Sequence, residues 1–209
     1  GFIILAVALE TGGPASAAEW INNANPTYPC LIDERHRVAD LYGMVNVANA
    51  VWINEDGQIV RPVEPAGVSD AIRSMDRATG QLPQGIHDLI ERRRTFYYDA
   101  IRDWVAKGDK SVHALSQEKA LDRIGRRSND DALAAANFQM GVHLHQKSFV
   151  EDANHYFNET IRLKPLGWNY RRQIWNLDHG GDARRLYWEA LDALGDTPYI
   201  ASIQMENMP

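Results

Sequence analysis

Thiols are nearly absent: one cysteine, Cys30, stands in 209 residues. A single thiol forms no intramolecular disulfide, so a disulfide-stapled secreted fold is excluded. A dithiol redox pair within these residues is excluded by the same count. Long apolar runs are missing too. Phe2–Leu9 is far shorter than the ~20 residues a spanning helix needs, and no basic stretch precedes it as in a signal peptide. Excess positive charge is also absent. The net charge of −6 argues against nonspecific binding to nucleic acid or to an anionic membrane. No phosphate loop, no Gly-x-Gly-x-x-Gly and no Ser-His-Asp grouping occurs. The histidines give no metal signal. His143 and His145 are two apart and point to different faces of a helix. His36, His87, His113, His155 and His179 have no partner at ligand spacing. Solvated or capping histidines are expected, and no cofactor.

What is present is an ordinary globular composition, 44% hydrophobic and 24% charged. The acidity is uneven, with eight carboxylates against three arginines in Gly1–Ala66. The clearest local signal is Tyr42–Pro62. Two apolar runs flank Asn54-Glu55-Asp56-Gly57, and Asp-Gly is a strong hairpin turn because glycine accepts positive φ without a Cβ clash. A β-hairpin is expected, Val47–Ile53 against Gln58–Arg61. Ahead of it, Phe2–Leu9 reads as a strand buried on both faces. Pro14 opens a helix over Ala15–Asn22, Tyr28–Ile32 is extended, and Glu34–Tyr42 is a short helix closed by Gly43.

This stretch resembles thioredoxin-like proteins of the ResA and peroxiredoxin-related type. Tyr42-Gly43, Val45, Val47, the strand Ala50–Ile53, Asp56-Gly57 and Ile59-Val60 fit that pattern, and the likeness covers roughly Gly1–Gly67. Asn54 departs from a common Asp. The family's cis-proline falls at Ala48. The resemblance implies an incomplete thioredoxin-like α/β fold in residues 1–80. It also implies a thiol–disulfide oxidoreductase whose Cys-x-x-Cys, or selenocysteine equivalent, lies upstream of Gly1. Its partner would be a protein disulfide or thiol. Val47, Ala48 and Asn49 would form the loop that meets an extended substrate. A cis bond before a non-proline residue costs ~3 kcal/mol, so a trans bond is expected at Ala48. A remodelled groove and a domain without redox activity both stay open. No compartment is assigned.

Residues 81–209 read as helical, after a boundary placed at Arg61–Gly67 with its two prolines and glycine. Pro83–Lys107 carries apolar residues at three- and four-residue steps. Ser111–Ile124 is a weaker helix, and Ser128-Asn-Asp-Asp131 looks like a helix start. Ala134–Pro165 resembles one tetratricopeptide repeat: Gly141 at a close helix contact, Leu144 at a large position, Ala153 at the small one and Phe157 at the aromatic one. Asn137 and Thr160 depart from the usual Trp and Ala. One repeat cannot bury its own face, so Pro83–Lys107 and Arg172–Leu194 are the expected neighbours. Asp196–Pro209 reads as a loose tail.

The candidate chemical residues are few. Cys30 is a resolving or redox-sensing cysteine on one reading and a half-buried loop residue on the other. No Lys or Arg lies within four positions to lower its pKa. Peroxidase chemistry at Cys30 is a weaker alternative, since the peroxidatic Pro-x-x-x-Thr-x-x-Cys is absent. Arg92-Arg93-Arg94 beside Phe96, Tyr97 and Tyr98 reads as the solvated and core faces of one helix rather than a nucleic-acid patch. Trp168, Tyr170, Trp175, Tyr187 and Trp188 read as the seal of a helical stack. The alternative function is a non-catalytic interaction protein that binds a peptide or subunit on its helical region.

Overall fold

Proline, glycine and short polar residues divide the chain into brief elements, four strands first and long helices after. The computed structural model describes residues 1–178 and 182–209. In chain order the elements are β1 (Ala6–Ala8), α1 (Pro14–Ala24), β2 (Cys30–Ile32), α2 (Arg37–Leu41), β3 (Asn49–Ile53) and β4 (Ile59–Pro65). Then come α3 (Gln84–Lys107), α4 (Gln117–Ile124), α5 (Asn129–Gln146), α6 (Val150–Leu163), α7 (Trp168–Asp178) and α8 (Ala183–Asp192). The chain is mixed α/β at its start and helical after it. Two compact units form, each from two stretches: Gly1–Asn46 with Arg126–Glu189, and Val47–Gly125 with Ala190–Pro209.

In the first unit, β1 and β2 pair in parallel, with Ala6 opposite Cys30 and Ala8 opposite Ile32. A parallel pair needs a crossover, and α1 supplies it. Pro14 sits in its first turn, where a missing N–H costs nothing. Asn25, left-handed at φ 44, ends it. The expectation of a doubly buried strand over Phe2–Leu9 is corrected. Only Ala6–Ala8 is strand, and it is half-buried, while Ile3 is 67% exposed. Among the described residues β1 has one neighbouring strand, too little to cover both faces.

The helical part of this unit is built on α5 and α6, joined by three residues. Ser128 and Asp131 make a reciprocal capping box: the Ser128 hydroxyl accepts from the Asp131 N–H at 3.0 Å, and the Asp131 carboxylate accepts from the Ser128 N–H at 3.0 Å. Phe138, Val142, Ala153, Phe157, Tyr170 and Ile174 form the core. Gly141 lets the helices close. A Cβ there would stand 2.5 Å from the Phe157 ring and 3.3 Å from the Ala153 carbonyl oxygen. Thr160 is fully buried, its hydroxyl donating to the Tyr156 carbonyl at 2.9 Å. Trp168, Tyr170 and Trp175 are buried, and Tyr187 and Trp188 are half-buried. The expected helix Arg172–Leu194 is two helices, α7 and α8; His179 and its neighbours to residue 181 lie outside the described residues.

In the second unit the hairpin forms on its local signal. The Asn54 side-chain oxygen accepts from the Asp56 and Gln58 N–H groups at 3.2 and 2.9 Å, and Gly57 takes φ 76. β4 runs further than Gln58–Arg61, through Pro62 to Pro65, so most of the stretch expected as a boundary is strand. The pairing is irregular between Ala50 and Trp52 and between Trp52 and Ile53. Trp52 stacks on Trp104 at 5.2 Å, and its indole N–H donates to the Tyr97 hydroxyl at 3.0 Å. Val60, Ala100 and Met205 complete this core. Burial, then the Glu64 charge, pushes the Tyr97 hydroxyl pKa well above its ordinary value. On α3, Tyr97 faces the core, while Arg94 pairs with Glu91 at 2.8 Å.

Arg61 is the polar centre of this unit and only 2% exposed. Its Nε and Nη2 donate to the two Glu64 oxygens, each at 2.7 Å. Nη1 donates to the His113 carbonyl at 2.8 Å and Nη2 to the Gln204 carbonyl at 3.0 Å. The Leu115 N–H donates to the Val60 carbonyl at 2.9 Å. The 111–116 stretch is therefore spent on β4 rather than on a helix, which is why α4 starts at Gln117 and not Ser111. Residues 196–209 are not loose. Asp70 accepts from the Tyr199 and Ile200 N–H groups at 2.9 Å, and Arg73 donates to the Thr197 and Gly195 carbonyls at 3.2 and 2.9 Å. Partners more than a hundred residues away fix this segment, so its own composition did not reveal the order.

Two substitutions test this packing. Gly141→Ala gains ~1 kcal/mol of helix propensity but overpacks a contact between two buried helices, a cost of about 1–3 kcal/mol. The expected result is a lower denaturation midpoint. Arg61→Ala strands the Glu64 carboxylate and is expected to cost about 3–5 kcal/mol, whereas Arg61→Met with Glu64→Met removes both charges and costs much less. Denaturant unfolding of the single and double variants checks the difference.

Candidate functional site

The only thiol sits at the start of β2, where the chain leaves Tyr28-Pro29 and pairs with β1. Cys30 is half-buried, and its Sγ lies 3.8 Å from the Tyr28 carbonyl oxygen. Directly after β2 comes Asp33, 8% exposed. Its carboxylate accepts from the N–H groups of Arg37, Val38 and Ala39 at 2.8, 2.7 and 3.2 Å. That satisfies three donors at the start of α2, where the helix dipole favours negative charge. Asp33 is what starts this helix, three residues later than Glu34 suggested.

His36 lies between them and departs from expectation. It is 1% exposed rather than solvated. Its backbone is left-handed at φ 51, and its ring packs on Phe138 at 4.9 Å and Tyr170 at 5.8 Å. Among the described residues neither ring nitrogen has a hydrogen-bond partner. Burial pushes its pKa from 6.5 down to about 4, against the pull of the Asp33 carboxylate. One oxygen of Asp40 pairs with Arg127 at 2.7 Å. Among the described residues its other oxygen is buried without a hydrogen-bond partner, as is the side-chain oxygen of Asn169. The Tyr170 hydroxyl is raised well above its ordinary pKa, by burial first and then by the Asp40 charge. Nothing in the sequence near His36 announces this burial, because the covering rings come from α5 and α7.

Gln173 is a second residue the sequence did not single out. Its side-chain oxygen accepts from the Thr11 N–H and hydroxyl at 2.9 and 2.7 Å, and its amide donates to the Leu9 carbonyl at 3.2 Å. It closes the frayed end of β1 against α7. A lone glutamine on a helix carries no sequence signal for that role.

Val47, Ala48 and Asn49 belong to the second unit, and Cys30 to the first. Val47 and Ala48 are exposed and Asn49 is half-buried. The Ala66 N–H donates to the Ala48 carbonyl at 3.0 Å, and Asn49 pairs with Pro65. The Val47–Ala48 peptide bond is cis, which corrects the expected trans bond. The trans preference of a non-proline peptide is a local term and does not decide this bond.

Among the described residues no group of three His, Cys, Asp or Glu side chains is placed to hold a metal ion, and no helix is long and apolar enough to cross a membrane. Comparison with family models, curated proteins and solved structures gave no match.

The buried imidazole makes stability depend on pH. Folded His36 takes up a proton near pH 4, and the unfolded chain near 6.5. Between those values the unfolded state binds more protons, so stability falls as pH falls. The contribution is whole above pH 6.5 and is lost on descent to about pH 4, amounting to ~3 kcal/mol. Urea unfolding across this range should show that slope, and His36→Phe, which keeps the stacking, should flatten it.

Proposed function

We propose that the chain is part of a thioredoxin-like thiol–disulfide oxidoreductase whose redox pair lies outside these residues. The observation that carries this reading is the element order: a parallel strand–helix–strand unit, a short helix followed by Gly43, then an antiparallel hairpin with an Asp-Gly turn. The support is the order of elements along the chain. In the reaction, a low-pKa thiolate or selenolate attacks one sulfur of a substrate disulfide and releases the other as thiolate. A neighbouring thiol then displaces the substrate from the mixed disulfide, so the substrate leaves as a dithiol and the enzyme pair is oxidised. Val47, Ala48 and Asn49 would meet an extended substrate, and the partner is a protein disulfide or thiol.

A second reading, a non-catalytic interaction protein, is favoured by the single thiol and by the α5–α6 pair closed on Gly141. That pair offers a stack of tetratricopeptide type for a peptide or subunit. One assay separates the two. The protein as its source makes it is given a disulfide-bonded protein and a thiol reductant, with Cys30→Ser alongside. Reduction faster than by the reductant alone, retained in Cys30→Ser, is the expected result. No acceleration overturns the oxidoreductase reading and leaves the interaction reading.

A further inference from the structure

Residues 33–46 are attached to their unit at few points. The only helix in the stretch is α2, of whose five residues Ala39 alone is buried, while Leu41 is 73% exposed. Three polar contacts tie the stretch down. The Gln139 amide donates to the Arg35 carbonyl at 2.5 Å, the Asn169 N–H donates to the Val45 carbonyl at 3.0 Å, and Arg127 pairs with Asp40. The largest buried side chain of the stretch is His36, packed on Phe138 of α5 and Tyr170 of α7. Its left-handed backbone is uncommon outside glycine and is held by that packing.

This ring has no place for a second proton. Neither nitrogen has a hydrogen-bond partner among the described residues. α5 offers it Phe138, and α7 offers Tyr170, whose hydroxyl burial keeps neutral. Asp33 is the carboxylate whose charge acts on the ring, and both its oxygens already accept N–H groups of α2. Asp40 pairs with Arg127, and its second oxygen does not bond the ring. Asp131, at the start of α5, pairs with Lys164. Glu34, Arg35 and Arg37 are exposed. An imidazolium here is a buried ion without an acceptor, which favours leaving the site over staying in it.

We propose that residues 33–46 form an acid-sensitive strap: a proton taken from solvent by His36 expels its ring from Phe138 and Tyr170 and frees the strap while the α5–α6 core stays folded. The device does not rest on the redox reading.

Amide hydrogen exchange on the full chain tests this. The reporters are the Asp40, Tyr42 and Met44 N–H groups, which bond back to His36, Val38 and Ala39. Val142 and Phe157 report the core. The free imidazole takes its proton near pH 6.5 and the buried one near 4, so between these values strap opening grows about tenfold for each unit of falling pH. Corrected for intrinsic exchange, strap protection is expected to fall about tenfold from about pH 6 to about pH 5. It should lie at least about tenfold below core protection at both values and change little in dilute urea, since a local opening exposes little surface. In His36→Phe the fall with pH disappears. Gln139→Ala, which removes the bond to Arg35, lowers strap protection at both pH values and keeps the fall. Strap amides as protected as those of Val142 and Phe157 overturn the proposal. So does strap protection that stays constant with pH, and so does a fall that persists in His36→Phe. The first two outcomes are read on the unaltered chain, so they decide the matter even if a variant folds poorly.

Discussion

A buried guanidinium has to find acceptors for its donors, and Arg61 finds them on three parts of its unit. Removing a cation from water costs several kcal/mol, and only a fully hydrogen-bonded site recovers it. Glu64 supplies charge from the same strand. The carbonyls of His113 and Gln204 supply the rest from the loop before α4 and from the terminal segment. Trp52 lies beneath, its ring 5.4 Å from the guanidinium carbon. Hairpin, loop and terminal segment are thus tied to one another by the need to satisfy a single side chain. Hydrophobic burial would tolerate several arrangements of these pieces; the directional bonds of Arg61 favour one.

The first unit is organised differently. Its polar chain ends are closed by single side chains, Asp33 at the start of α2 and Gln173 at the end of β1, and its core is an aromatic stack through Phe138, Phe157 and Tyr170. His36 enters that stack as a neutral ring. It fills space as a phenylalanine would, but it remains a base, so the unit's packing is coupled to proton concentration in a way an all-carbon core would not be.

The residues that announced themselves did so locally. Asn54-Glu55-Asp56-Gly57 carries its turn in its own side chains. Ser128 and Asp131 cap each other. Gly141 lies where two helices approach closely. Pro14 and Gly43 bracket helices as their φ preferences require. What could not be read depends on distant partners. Residues 196–209 show no strand or helix pattern, and distant side chains, among them Asp70, Arg73 and Arg61, hold them in place. His36 looks like a surface residue until α5 and α7 cover it. The prolines at 62 and 65 read as a boundary, because a lone sequence does not show that β3 lies opposite them. Cys30, Val47, Ala48 and Asn49 were legible only as residue types. Their surroundings were not, because these depend on which strand or loop lies opposite.

Those prolines have a consequence of their own. An extended strand rich in Val and Ile is a template on which a second strand can grow, and runaway addition of this kind is the start of fibrous aggregation. β4 reads Ile-Val-Arg-Pro-Val-Glu-Pro. Two of its seven residues have no N–H to offer, and two others carry opposite charges that demand each other. Its β-rich sequence is interrupted often enough to pair with β3 and little else. The residues that look like faults in a strand act as gatekeepers against the wrong neighbour.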